Sequence, residues 1–110
     1  MKSLKIGLAF AASLFSASLF AQAKTETIKV SGNCGQCKKH IEKAAKLPGV
    51  ETAVWDKKTK ELTLVYDQSK VSTDKIEKSI ADAGYDNEKF KAPDKAYNKL
   101  DECCQYDRAK

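Results

Sequence analysis

Apolar and polar residues alternate from Thr25 to Ser31, with Ile28 and Val30 on one face and Thr27 and Lys29 on the other, which predicts a half-buried strand. Gly32-Asn33 breaks the alternation. From Cys37 the period lengthens: Cys37, Ile41, Ala44 and Ala45 share one side, and Lys38, Lys39, Glu42, Lys43 and Lys46 take the other. That spacing predicts an amphipathic helix, stopped by Leu47-Pro48-Gly49. Val50 to Trp55 and Glu61 to Tyr66 read as two strands around the polar turn Lys57-Lys58-Thr59-Lys60. In the second of them Leu62, Leu64 and Tyr66 alternate with Glu61, Thr63 and Val65. Ser72 or Thr73 can cap a second helix carrying Ile76, Ile80 and Ala83, with Gly84 as its stop. Asp86 to Lys91 is short and charged, has Phe90 as its main apolar residue, and is expected as a final edge strand.

The order β-α-β-β-α-β over residues 24–91 predicts an α+β fold of the ferredoxin-like kind. In that sandwich a four-stranded antiparallel sheet carries both helices on one face. Beyond Ala92-Pro93 lies a tail, residues 92–110, outside the strand-helix count. Tyr97, Leu100 and Cys104 recur there at i, i+3 and i+7, which predicts a short docking helix.

Residues 1–23 read as a leader rather than as fold. Lys2 and Lys5 precede an apolar run, Ile6 to Phe20, and Ala21-Gln22-Ala23 offers the small-x-small pattern of a signal-peptidase site. The run is shorter than the roughly 20 residues a spanning helix needs. The expected location is therefore periplasmic or secreted. What remains is one small domain with a modest core, for which a metal or a disulfide would be a useful support.

The formal charge of +5 includes Lys2 and Lys5, and the other lysines are interspersed with Glu and Asp rather than gathered into a patch. Nucleic-acid binding would want a basic patch with interleaved aromatics, so that class is set aside. There is no paired-carboxylate arrangement, no Ser/His/Asp set and no phosphate-binding glycine loop. An enzyme is not expected.

The chemistry lies in four cysteines, placed as two tight pairs, Cys34/Cys37 and Cys103/Cys104. Cysteines that staple a small exported domain are usually scattered across it, and a pair three residues apart closes too small a loop to add much stability. Cys34 falls in the loop before the first helix and Cys37 in its first turn, so the two sulfurs can converge. Free backbone N–H groups and the positive end of the helix dipole favour thiolate there, and the thiolate is both metal ligand and nucleophile. Gly35 removes bulk beside the sulfurs, and Lys38 and Lys39 add positive charge. A C-x-x-C alone leaves metal binding and thiol–disulfide exchange both open.

The surrounding sequence narrows the choice. Gly32-Asn33-Cys34-Gly35-Gln36-Cys37, then Ile41-Glu42-Lys43-Ala44, Leu47-Pro48-Gly49-Val50 and Asp82-Ala83-Gly84-Tyr85 resemble the heavy-metal-associated domain family. That family includes copper chaperones, modules of copper-exporting P-type ATPases and exported mercury-binding proteins. The resemblance spans about Thr25 to Lys91 and implies that Cys34 and Cys37 bind one soft ion, Cu(I) or Hg(II). It implies a scavenger or carrier that passes its ion by ligand exchange to a membrane metal transporter or P-type ATPase. The alternative is a thiol–disulfide oxidoreductase using the same pair. Where the family usually has a packing Met two residues before the first cysteine, this chain has Gly32, which predicts a more mobile loop.

Other positions are weaker candidates. His40, one turn beyond Cys37, reads as a surface residue sooner than as a third ligand, and Trp55 reads as core. The resemblance matches Tyr85 to an aromatic near the metal loop, while an ordinary core tyrosine fits its position equally well. Cys103 and Cys104 are adjacent, and a disulfide between them would strain the intervening peptide. They are expected to reach the first pair, as added sulfur ligands or as a disulfide partner. Four thiolates would complete the tetrahedral shell that Zn(II) prefers. A second, independent site on a loose tail is the competing arrangement.

Overall fold

The computed structural model describes residues 23–108. The expected leader lies outside the described residues apart from Ala23, which is the first residue of a strand. Among the described residues no helix is long and apolar enough to cross a membrane.

Three strands, β1 (Ala23–Lys29), β2 (Val50–Asp56) and β3 (Glu61–Asp67), form an antiparallel sheet in the order β1-β3-β2. Leu62 of β3 lies between Ile28 of β1 and Trp55 of β2, and all three side chains point into the core. The register is fixed by burial. Leu62, Leu64 and Tyr66 are buried on one face, and a slip of one residue would send all three to solvent. The β2–β3 turn is closed by Asp56, whose Oδ1 accepts from the amides of Lys58 and Thr59 at 2.8 and 3.1 Å. Lys60 completes it in the left-handed region, φ 62°.

Helices α1 (Gly35–Ala45) and α2 (Thr73–Asp82) cover the apolar face. Cys37, Ile41 and Ala45 of α1 and Ile76 and Ile80 of α2 join the strand residues in a single core cluster. Burying each isoleucine contributes roughly 1.5–3 kcal/mol. The helices are tied where Ser79 donates its hydroxyl to the Ala44 carbonyl at 2.7 Å. Ser72 caps α2 by accepting from the Lys75 amide at 3.2 Å, as its place in the sequence predicts. Just past the end of α2, Gly84 takes φ +112°. A Cβ there would sit 2.9 Å from Leu100 Cδ2, so glycine serves both the turn and the approach of the tail.

The fourth strand expected at Asp86–Lys91 does not form, and the sheet has three strands among the described residues rather than four. The segment does run beside the free edge of β1, where a fourth strand would lie. It contributes a single antiparallel bridge, Val30 with Asn87, and the bond from the Ser31 amide to the Asp86 carbonyl at 2.9 Å. Side chains then take over from the ladder. Asn87 Oδ1 accepts from the amides of Lys89 and Phe90 at 3.2 and 3.1 Å, curling the chain, while Glu88 Oε1 receives the Lys29 amide at 3.0 Å. Asn and Asp compete for backbone groups in this way, and here they win over a short segment with one large apolar residue.

The tail docks, but not as one helix. A five-residue helix α3 (Asp94–Asn98) ends before Leu100, and a separate 3-10 turn, Glu102–Cys104, follows. Tyr97, Leu100 and Cys104 still all face the domain.

Candidate metal centre

Cys34 is the residue that opens α1, in extended conformation with φ −142° and ψ 177°. Its side chain turns toward Cys37, one helical turn on. The two sulfurs are 3.4 Å apart. Cys37 is fully buried and receives the Asn33 amide at 3.3 Å, whereas Cys34 is half-buried. The first pair is thus brought together as its spacing predicts.

The loop before it is held from below. Trp55 donates its indole N–H to the Val30 carbonyl at 3.0 Å, and Lys60 donates to the Gly32 carbonyl at 2.6 Å. A Cβ on Gly32 would lie 2.8 Å from the Trp55 ring and 3.2 Å from Ile41 Cδ1. The space at Gly32 is therefore filled: the indole packs where a side chain at position 32 would begin. By contrast, a Cβ on Gly35 would meet nothing within 4 Å, so the open space beside the sulfurs does not depend on that glycine.

The tail supplies a third sulfur. Cys104 is fully buried, and its Sγ lies 3.7 Å from that of Cys34. The sulfurs of Cys34, Cys37 and Cys104 all fall within 4.8 Å of one another. Cys103 does not join this trio. It is exposed, 3.8 Å from the Cys104 sulfur, and donates to Gln36 Oε1 at 3.1 Å. The four-thiolate shell expected for Zn(II) is thus one member short. All four thiols are free.

Electrostatics separate these sulfurs. Burial opposes ionisation of Cys34, but the Cys37 backbone N–H and the thiols of Cys37, Cys103 and Cys104 outweigh it, drawing the Cys34 thiol down to about 6. The Lys38 charge expected to help is spent elsewhere, because its ammonium pairs with Glu42. Burial, followed by the neighbouring Cys37 thiol, pushes the Cys104 thiol up. Cys103 is also raised, first by the influence of the Cys34 sulfur and then by burial.

Aromatic residues floor the site. Tyr85 is fully buried, and desolvation followed by contact with Cys104 pushes its hydroxyl above the usual tyrosine range. His40 approaches that hydroxyl through Nδ1 at 3.0 Å and stands outside the sulfur group. Tyr106 stacks on Tyr85 at 6.0 Å between centroids and meets the edge of Tyr97 at 5.1 Å. Arg108 reaches both Asp86 carboxylate oxygens at 3.0 and 2.8 Å, donates to Asp94 and to the Ala92 carbonyl, and lies over the Tyr97 ring. Neither periodicity nor motif marks Tyr106 and Arg108 in the sequence. The compact run Cys104-Gln105-Tyr106-Asp107-Arg108, in which an aromatic and a cation closely follow a cysteine, was the available signal.

The chain is 36% identical over 87 residues to the mercuric transport protein periplasmic component of Shigella flexneri, covering 77% of this chain and 93% of that protein. It is 36% identical over 63 residues to the copper chaperone CopZ of Staphylococcus haemolyticus, covering 56% of this chain and 93% of the chaperone. Among solved structures, oxidised MerP from Ralstonia metallidurans CH34 superposes with a TM-score of 0.57 at 32% identity, covering 60% of this chain and 94% of that one. The model of the heavy-metal-associated domain matches residues 27–86, a stretch that holds all three strands from Thr27 onward, both long helices and the C-x-x-C loop. The chain belongs to the heavy-metal-associated domain family.

Proposed function

We propose that the protein is a non-catalytic carrier of a soft metal ion, Cu(I) or Hg(II), which it binds through Cys34 and Cys37 and gives up by thiolate exchange. The observation that carries this reading is the sulfur pair at the start of α1, 3.4 Å apart, with one member buried and the other half-exposed. A buried ligand retains the ion, and a half-exposed one gives an acceptor thiol a point of attack. Soft thiolates favour Cu(I) among physiological metals, and the same softness suits Hg(II). The lowered Cys34 thiol supports the assignment, since it supplies a ready thiolate near neutral pH.

The export pattern in residues 1–23 and the periplasmic transport relative support work outside the cytoplasm, with residues 24–91 as the metal domain and 92–110 as its tail. The natural acceptor in this reading is a dithiol module of a membrane metal transporter or P-type ATPase.

Titration of the reduced chain with Cu(I) or Hg(II) against a competing chelator tests the reading. One ion should bind per chain, and Cys34→Ser or Cys37→Ser should abolish tight binding. Loaded protein should pass its ion to a second dithiol domain while showing negligible insulin-reduction activity. Turnover like that of a thioredoxin would favour the oxidoreductase instead.

A further inference from the structure

We propose that Cys104 is a third ligand to the ion, so that Cys34, Cys37 and Cys104 form a three-sulfur site spanning the domain and its tail. This rests on the carrier reading and adds a ligand from outside the residues 27–86 matched by the domain model.

The sulfur separations favour three ligands over two. Taking the roughly 2.3 Å of a zinc–thiolate bond as a yardstick, a linear two-sulfur site spans about 4.6 Å and a planar three-sulfur site has edges of about 4.0 Å. Cys34 and Cys37 lie 3.4 Å apart, Cys34 and Cys104 3.7 Å, and all three pairs fall within 4.8 Å. Small adjustments turn this triangle into a trigonal shell. A linear site would require Cys34 and Cys37 to separate by more than an ångström while Cys104 stayed beside them.

The third sulfur is also held in position. The Tyr106 hydroxyl donates to the Gly84 carbonyl at 2.8 Å and accepts the Asp86 amide at 2.8 Å. Tyr97 donates to the Tyr106 carbonyl at 2.6 Å, and Arg108 is clamped to Asp86. These contacts order the chain on the C-terminal side of Cys104 before any ion arrives, so ordering the third ligand costs little at the moment of binding. The competing explanation is packing alone, because a buried free cysteine often serves as a small apolar residue. Packing alone does not require three sulfurs to gather within 4.8 Å of one another. It also makes a different forecast for the bound ion.

The test is X-ray absorption of the reduced full chain loaded with one equivalent of Hg(II), supplied as the nitrate in chloride-free buffer, with Cys104→Ala measured alongside. Three sulfurs on the ion in the unaltered chain and two in the variant are expected, with at least tenfold weaker retention by the variant against a competing dithiol. Two sulfurs in the unaltered chain would overturn the proposal without harming the carrier reading, and this measurement needs no variant to fold. Failure of the unaltered chain to bind Hg(II) or Cu(I) at all would instead bring down the carrier reading, and this inference with it.

Discussion

The phenolic hydroxyl of Tyr106 donates to the carbonyl of Gly84 at 2.8 Å, joining the tail to the turn that ends α2 across 22 residues of sequence. Gly84 is left-handed and has no side chain, so Leu100 closes over it while its carbonyl stays available to the tyrosine. The same hydroxyl receives the Asp86 amide, which makes Tyr106 a two-way link at a site shielded from water.

Tyr106→Phe should therefore loosen the tail without unfolding the sheet. The ring and its stacking survive, but the Gly84 carbonyl and the Asp86 amide lose their partner. Leaving such buried groups unpaired costs about 1–3 kcal/mol. Urea unfolding should report that loss, and amide exchange at Asp86 should quicken while exchange in β3 is unchanged at low denaturant. Equal protection of Asp86 in both proteins would show that the hydroxyl adds nothing.

Acid should release the same tail. Burial raises the Asp86 carboxyl, but the Arg108 guanidinium and the Ala92 amide overcome it and hold the group below its ordinary 3.8. Lys91 adds a smaller pull in the same direction. Because the folded value is the lower one, the fold favours the charged carboxylate. The stabilisation is complete above the ordinary value and disappears as pH falls through the depressed folded value. Both partners have side chains only 15% exposed, so solvent screening leaves the pair largely intact. NMR shifts of Tyr106 and Arg108 should hold steady down to pH about 4 and move together below it, and Asp86→Asn should remove that acid step. A transition centred near neutral pH would assign the linkage to another group.

What the sequence disclosed followed from periodicity. Leu62, Leu64 and Tyr66 announce β3 by alternation, and Cys37, Ile41 and Ala45 announce α1 by helical spacing; burial matches both patterns. Cys34 and Cys37 were legible because one helical turn separates them, so local geometry alone brings the sulfurs together. Asp86–Lys91 was misread because its outcome depends on where Asn87 and Glu88 send their side chains, which composition does not reveal. Arg108 was missed for a related reason. Its pairing with Asp86 is a contact between distant segments, and no repeat in the chain points to it. The convergence of Cys104 on Cys34, 70 residues away, is a long-range contact of the same kind; the cysteine pair hinted at it, while the Tyr106 and Arg108 contacts beside it left no periodic trace.

Ionisation and exposure make opposite forecasts for which thiol reacts first. Cys103 is the exposed sulfur, whereas Cys34 is only half-exposed and Cys104 is buried. If access ruled, limiting iodoacetamide would label Cys103. The reactive species, however, is the thiolate. With its thiol drawn to about 6, Cys34 is roughly nine-tenths ionised at neutral pH. Cys103 is raised, first by the influence of the Cys34 sulfur, and Cys104 is raised by burial. The reduced, metal-free chain should accordingly be alkylated first at Cys34, with a rate that climbs through pH about 6 and levels off above neutrality. Cys103 should follow only in more alkaline solution. Mass mapping of singly labelled chains across that range decides the matter. Label on Cys103 first at neutral pH would mean that exposure, and not the donors around Cys34, governs the chemistry of this centre.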